Sequence, residues 1–423
     1  MPEKTDTRTY RHRLVDAELG RLLKTFGGVL LTGPKMCGKT WTGKNLAASS
    51  IYLDEGDNLQ NALLAPELTL AGDAPRLVDE WQLAPALWDK ARRMIDESGQ
   101  SGCFIFTGSA VPASGTHHTG TGRFMHLAMK PLTLYESGVS SGAVSLSALF
   151  RGEKIEPCSS SLDYEKAIRL ICKGGWPAAL WLDEESASDL PGGYLKMIIE
   201  SDISRVDGVN RSPARAELLI RSLARNNASQ AGTRALLGDM RMHEGNDVIS
   251  EDTIDSYVNA LKQIFVIEDQ EAWLPALRSK TRIRTSPKRH FTDPSLAAAA
   301  LGATVEILLK DTKTSGFLFE SLCYRDLTVY AQNLKGKVYH YRDEKDLEAD
   351  AVIQLPDGKW GALEVKMGSF EFDKAAKSLL KLKQKMEGTV EAPQFLAILS
   401  ATGGLAYTRP DGVLVVPLDC LGP

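Results

Sequence analysis

The chain has 423 residues, more than one ordinary hydrophobic core accommodates, so two to four domains are expected. Its composition, 43% hydrophobic and 25% charged, is that of an ordinary soluble globular protein. A net charge of −4 excludes a protein that holds polyanions through overall charge, so any nucleic-acid contact needs a local basic surface.

No run of eighteen apolar residues occurs, so no membrane span is expected. The polar stretch from Met1 to Tyr10 lacks the apolar segment of a secretory signal. Six cysteines, at 37, 103, 158, 172, 323 and 420, form no C-x-x-C pair. They read as reduced thiols of a cytoplasmic protein, without a zinc site.

In chain order, GVLLT (Gly28 to Thr32) reads as a short buried strand. GPKMCGKT follows, and then a helix-compatible WTGKNLAA. Strand, glycine loop and helix start are the context of a phosphate-binding P-loop. Its backbone N–H groups and helix N-terminus suit a nucleoside triphosphate, and ATP with Mg²⁺ is expected. The binding loop comprises Gly33, Pro34, Lys35, Met36, Cys37, Gly38, Lys39 and Thr40, with Trp41 behind it. Lys39 would reach the β- and γ-phosphates, and Thr40 would ligate Mg²⁺.

SSIYLDE is a second strand-like run, and RLVDEWQ a third. At the end of the third, Asp79 is the candidate that holds Mg²⁺ through its water shell. Glu80 is the candidate that polarises the attacking water. The structural alternative is a strand end with an acidic turn. GCFIFTGSA is the next strand, with Ser109 first and Thr107 second as a sensor of the γ-phosphate; a plain strand-to-loop turn is the alternative. His117 and His118 read as a polar loop tip. Arg123, between a glycine-rich loop and the strand FMHLA, is a candidate arginine finger, or else a solvated surface cation. A finger would need a neighbouring copy, so a homo-oligomer is expected only with that role.

Residues 140–205 read as helical, with YEKAIRLICK at helical spacing before Gly174 and Gly175. Trp176 and Pro177 read as a packed corner. From Ala214 to Trp273 the pattern is three helices and a strand, Ser250 serving as an N-cap. The stretch LRSKTRIRTSPKRH then supplies Arg278, Lys280, Arg282, Arg284, Lys288 and Arg289 with no acid between them. If extended, four of these cations share one face and could track a DNA backbone; a solvated linker is the alternative.

Near the C-terminus Glu320 lies on a helix, Asp350 closes RDEKDLEAD, and Glu364 and Lys366 stand two apart on the strand GALEVK. Residues two apart on a strand face one side. The set resembles the restriction-endonuclease signature of Asp followed by Glu-x-Lys. In that reading Glu320, Asp350 and Glu364 hold Mg²⁺, and Lys366 orients water or stabilises an oxyanion. A degenerate fold kept for binding is the alternative.

The order GPKMCGKT, RLVDEWQ, FIFTGSA, GTGRFMHLAMKPLTLYE, KGGWPAAL, ESDISRVDG, KRHFTDPSLAAAALG, GFLFESL, EAD and LEVK resembles a large family of uncharacterised bacterial and archaeal AAA-type ATPases. The resemblance spans nearly the whole chain. It implies an α/β protein with a P-loop ATPase core at 1–140, a helical lid at 141–210, a winged helix at 211–285 and a restriction-endonuclease-like domain at 286–423. The winged helix's later helix carries Glu251, Asp252 and Asp255, which would repel phosphate, so a packing or subunit-contact role fits it better. Two functions follow. One is an ATPase acting on DNA through the basic stretch and the C-terminal domain. The other is a nucleotide-switched regulator, such as a defence or toxin–antitoxin component, whose C-terminal domain is an interaction module.

Overall fold

A computed structural model describes residues 9–109, 120–244, 249–275 and 286–423. His117, His118 and the cations Arg278, Lys280, Arg282 and Arg284 lie outside the described residues. The chain divides into two compact units, Met1–Met129 and Lys130–Pro423. Among the described residues, no helix is long and apolar enough to cross a membrane.

The first unit is built on five strands, β1 (Gly28–Thr32), β2 (Ser49–Tyr52), β3 (Arg76–Asp79), β4 (Phe104–Gly108) and β5 (Phe124–Ala128). They form one parallel sheet in the order β2-β3-β4-β1-β5. All five residues of β1 and all five of β4 are buried, which is why both read as continuous runs rather than as alternating ones. The helix Lys39–Leu46 packs close to the sheet at Gly43, where a Cβ would lie 2.8 Å from Leu77 Cδ1. The helix Ala86–Ser98 brings Trp88 onto the sheet. Its ring stacks on Phe124 at 4.2 Å and lies 4.9 Å from Trp81, and Phe106 completes the cluster.

The second unit carries eleven further strands among the described residues: β6 (Val144–Ser145), β7 (Cys158–Ser159), β8 (Ile267–Gln270), β9 (Lys288–Phe291), β10 (Lys337–Arg342), β11 (Glu348–Gln354), β12 (Trp360–Lys366), β13 (Leu396–Ser400), β14 (Leu405–Thr408), β15 (Leu414–Pro417) and β16 (Leu421–Gly422). Seven of them form a mixed sheet in the order β10-β11-β12-β13-β15-β14-β7. The meander β10-β11-β12 is antiparallel, and β12, β13 and β15 run parallel. The helices Thr312–Asn333 and Phe372–Met386 both pack against this sheet. Trp273, Trp360, Tyr341, Leu379, Leu382 and Ile398 belong to its core.

The segment 140–161 departs from the expected helical reading. β6 pairs with β16, and β7 extends the large sheet at β14. Within this segment Leu146–Phe150 is helical and buries Leu146, Leu149 and Phe150, while the flanking residues are rich in Ser and Gly and form no helix. Its polar groups bond instead to the C-terminal chain: Ser140 Oγ donates to the Leu421 carbonyl at 2.6 Å, and Ser160 Oγ to Asp419 at 2.5 Å. Between Ala214 and Trp273 the helices Pro213–Arg225, Thr233–Glu244 and Glu251–Gln263 precede β8, and Ser250 Oγ caps the third by accepting from Thr253 N at 3.2 Å.

A buried polar lock ties the motifs of this unit together. Asp293 accepts from Gly175 N at 2.9 Å and from Arg325 at 2.8 Å. Arg325 also pairs with Asp326, which accepts from Leu134 N at 2.9 Å. Trp176 Nε1 donates to Ser295 Oγ at 3.0 Å. Arg325, Asp293 and Asp326 are essentially inaccessible, and burial of such ions is tolerable only because each is paired and hydrogen-bonded.

Candidate functional site

The carboxyl edge of the first unit's sheet gathers the nucleotide-site candidates. β1 leads into the loop at Gly33, whose φ of 153° and close approach to the Met129 carbonyl (2.2 Å from a Cβ placed there) require glycine. Gly38 opens the helix Lys39–Leu46 at a φ of 102°. Lys39, 6% exposed, donates to the Gly33 and Pro34 carbonyls at 3.0 and 2.8 Å, so its ammonium spans the loop. Arg13 braces the loop from below by donating to the Cys37 carbonyl at 2.8 Å. Tyr10 lies with its hydroxyl 3.1 Å from Thr42 Oγ1. Neither brace had a sequence signal, because both lie before the motif and meet it only in space. Met36 and Trp41 are each about half exposed beside the loop.

β3 and β4 deliver the partners. Thr40 Oγ1 donates to both Asp79 carboxylate oxygens at 3.0 Å, and Thr107 Oγ1 also donates to Asp79. Burial raises the Asp79 pKa, against the two threonine hydrogen bonds, and the nearby Glu80 and Asp54 add to the rise. A Thr hydroxyl and a buried carboxylate meeting beside a phosphate loop are the donor set that Mg²⁺ bound to phosphate takes. Glu80 follows Asp79 in a left-handed conformation, φ 53°, a backbone state that a non-glycine residue adopts at a cost. Its carboxylate accepts from Gln82 Nε2 and lies 3.5 Å from Ser109 Oγ. Thus Thr107 faces Asp79 and Ser109 faces Glu80. Gln82 escaped the sequence reading because a turn glutamine has no pattern of its own.

Arg123 stands apart from this edge. It precedes β5, beside Gly28 at the start of β1, whereas the loop leaves from the far end of that strand. Its guanidinium, 44% exposed, pairs with Asp96 at 2.7 Å. Within its own chain it therefore does not approach the P-loop.

The second unit brings Glu320, Asp350, Glu364 and Lys366 to one place. The register Ala351–Leu363 sets Asp350 beside Glu364. There the Asp350 carboxylate accepts from Val365 N at 2.9 Å. Lys366 donates to Glu364 at 2.7 Å and lies 3.5 Å from Asp350, on the side expected for residues two apart. The cation between Glu320 and Asp350 is Lys288 of β9, whose Nζ lies 2.6 Å from Glu320 and 3.3 Å from Asp350. Among the described residues, no group of three or more acidic, His or Cys side chains is arranged to hold a metal ion. The three carboxylates expected as metal ligands thus meet around two ammonium groups, those of Lys288 and Lys366.

Electrostatics follow from burial. Burial pushes the Glu364 and Glu320 carboxyls up, the charge of Asp350 adding to the rise. Burial works the same way on Asp350, but Lys288 and Lys366 hold it well below the usual carboxylate range. Burial would lower Lys288, yet Glu320 and Asp350 keep it charged.

Lys288 and Arg289 also correct the expected basic row. Being neighbours on a strand they point to opposite faces. Lys288 turns inward, and Arg289 pairs with Asp269 at 3.0 Å. Both described cations of the row are thus engaged by carboxylates of the same unit.

Three family models match successive segments of the chain. An AAA domain matches residues 26–137, a domain of unknown function (DUF8612) residues 164–306, and a domain of unknown function (DUF4143) residues 315–421. Uncharacterized proteins of Mycobacterium bovis and Mycobacterium tuberculosis are each 26% identical over 358 residues, 84% of this chain and 73% of theirs. Among solved structures, a Walker-type ATPase of Pyrococcus abyssi aligns at a TM-score of 0.42 and 13% identity, covering 70% of this chain and 99% of its own. The Aeropyrum pernix ORC1 protein, solved in complex with DNA, aligns at 0.25 and 12%, covering 69% and 92%. The chain thus carries an AAA domain followed by a DUF4143 domain, and it resembles the uncharacterised AAA-type ATPases.

Proposed function

We propose that this chain is a Mg²⁺-dependent ATPase whose turnover acts on, or is gated by, nucleic acid. The observation that carries the ATPase part is the contact of Thr40 with Asp79 beside a loop spanned by Lys39. In this reading Lys39 binds the β- and γ-phosphates, and Thr40 and Asp79 hold the metal. Glu80 polarises the attacking water, and Ser109 reports on the γ-phosphate. The residues from Gly33 to Trp41 enclose the phosphates. Arg123 acts, if at all, on the nucleotide of a neighbouring copy, so chromatography with ATP should show an oligomer. The later segments are read as a helical lid (141–210), a winged helix (211–285) and a restriction-endonuclease-like domain (286–423). Support for the last is its order of helix Thr312–Asn333, meander β10-β11-β12, helix Phe372–Met386 and parallel β13.

The test is the ATPase rate with and without linear, branched and single-stranded DNA and RNA. Stimulation by one of these supports the reading, and no binding to any form at low salt sinks it. Glu364→Ala together with Lys366→Ala should remove the nucleic-acid response and leave basal turnover unchanged.

A second reading is a nucleotide-switched regulator with a C-terminal interaction module. Lys288 between Glu320 and Asp350 favours it, since that contact pairs two of the cluster's carboxylates without a metal. It predicts slow turnover indifferent to DNA.

A further inference from the structure

We infer that the carboxylate cluster of the C-terminal domain is closed to divalent metal by its own chain: the Lys288 ammonium is the cluster's cation, and removing it opens a site for Mn²⁺ or Mg²⁺. The inference does not depend on what the ATPase acts on.

Three observations carry it. First, each ammonium bridges two carboxylates. Lys288 spans Glu320 Oε1 and Asp350 Oδ1, and Lys366 spans Glu364 Oε2 and Asp350 Oδ2. A divalent ion of this size needs several oxygens at about 2.0–2.2 Å, and Glu320 Oε1, both Asp350 oxygens and Glu364 Oε2 are already engaged by ammonium groups. Second, Lys288 is delivered by fixed backbone. β9 pairs with β8 in the register Gln270–Lys288, and the next residue, Arg289, exchanges backbone hydrogen bonds with Ser229 and Ala228 at 3.0 and 2.8 Å. Gln270 donates to the Asp350 carbonyl at 2.9 Å, so the strand pair that presents Lys288 also grips β11. Third, Glu364, 4% exposed, keeps one carboxylate oxygen, Oε1, buried without a hydrogen-bond partner. A buried carboxylate oxygen left unsatisfied is costly, and a cation is the ligand that would satisfy it. With Lys288 gone, three carboxylates face a single ammonium, which is the charge balance a divalent ion neutralises.

The experiment titrates Mn²⁺ alone into the full chain, without nucleotide or nucleic acid, and follows free Mn²⁺ by electron paramagnetic resonance. Lys288→Met keeps the length of the apolar stem and removes the charge. It should bind one Mn²⁺ at least about tenfold more tightly than the wild type, and adding Glu364→Gln should abolish the gain. The Glu364→Gln step separates this site from any weak binding at the P-loop. Lys288→Gln serves as the second variant, and circular dichroism checks that each is folded. Folded variants that bind no more Mn²⁺ than the wild type overturn the inference. So does Mn²⁺ binding by the wild type that Glu364→Gln removes, a result that decides the matter even if both Lys288 variants fail to fold.

Discussion

At Gly175 one hydrogen atom separates a closed backbone contact from a clash. A Cβ there would lie 2.2 Å from the Leu132 carbonyl oxygen and 2.8 Å from the Arg325 guanidinium. The Leu132 N–H donates to the Gly175 carbonyl at 2.6 Å, so the two segments cannot separate cheaply. Gly175→Ala should therefore destabilise the second unit by about 1–3 kcal/mol, read as a shifted urea midpoint. An unchanged midpoint would mean the contact relaxes freely. In the first unit, among the described residues, Lys39 is bonded to the loop carbonyls of Gly33 and Pro34. Lys39→Ala should leave the fold intact and remove the stabilisation by ATP, which for the wild type is about 2.7 kcal/mol at a nucleotide concentration 100 times Kd. A thermal melt of the variant that still rises with ATP would refute the assignment. Lys39 was legible from motif spacing alone. Lys288 was not, because its partners Glu320 and Asp350 are 32 and 62 residues away, and it read as one more cation of a basic row.

Among the elements, the helix Ala86–Ser98 shows how packing fixes the turn at Glu80. Trp88 stacks on Phe124 of β5 and contacts Trp81, which follows Glu80 directly. The strained turn at Glu80 is thus held against the sheet by an aromatic cluster, each such pair contributing about 0.5–1.5 kcal/mol beyond area burial. Trp88→Ala should cost about 3–5 kcal/mol of stability and lower ATP turnover in the fraction that stays folded. Turnover per folded molecule equal to the wild type would show that the turn at Glu80 needs no such support. The strands β1, β3 and β4 were readable because each is a short apolar run bounded by glycine or acid. β6 and β7 were not, since two residues carry no periodicity and their pairing depends on distant chain.

For the molecule as a whole, pH reaches the second unit through two buried histidines. His290 accepts from Ser321 Oγ at Nδ1 (2.7 Å) and donates from Nε2 to Gln270 Oε1 (3.0 Å), an arrangement that suits the neutral ring. His340 donates from Nε2 to the Ser286 carbonyl at 3.0 Å. Burial, with the charge of Lys288 adding to it, depresses both, His340 to about 4. The folded pKa lies below the unfolded value of about 6.5, so the unfolded chain takes up protons that the folded chain refuses. The contribution of the two histidines to stability is complete above about pH 6.5 and falls as the pH drops towards 4, by up to about 1.4 kcal/mol per pH unit for each. Urea midpoints across that range should show the slope, and His340→Gln should flatten it; an equal slope in the variant would assign the loss to other groups. The sequence by itself determined the P-loop, the strands that flank it and the resemblance to AAA-type ATPases, because phosphate-binding loops and buried strands are local patterns of a few residues. Only the tertiary structure decided that Arg123 lies away from its own P-loop, that Gly175, Asp293 and Arg325 form one lock, and that Lys288 fills the carboxylate cluster. Those outcomes depend on which distant charges meet inside a core, where desolvation makes each buried charge take the nearest partner.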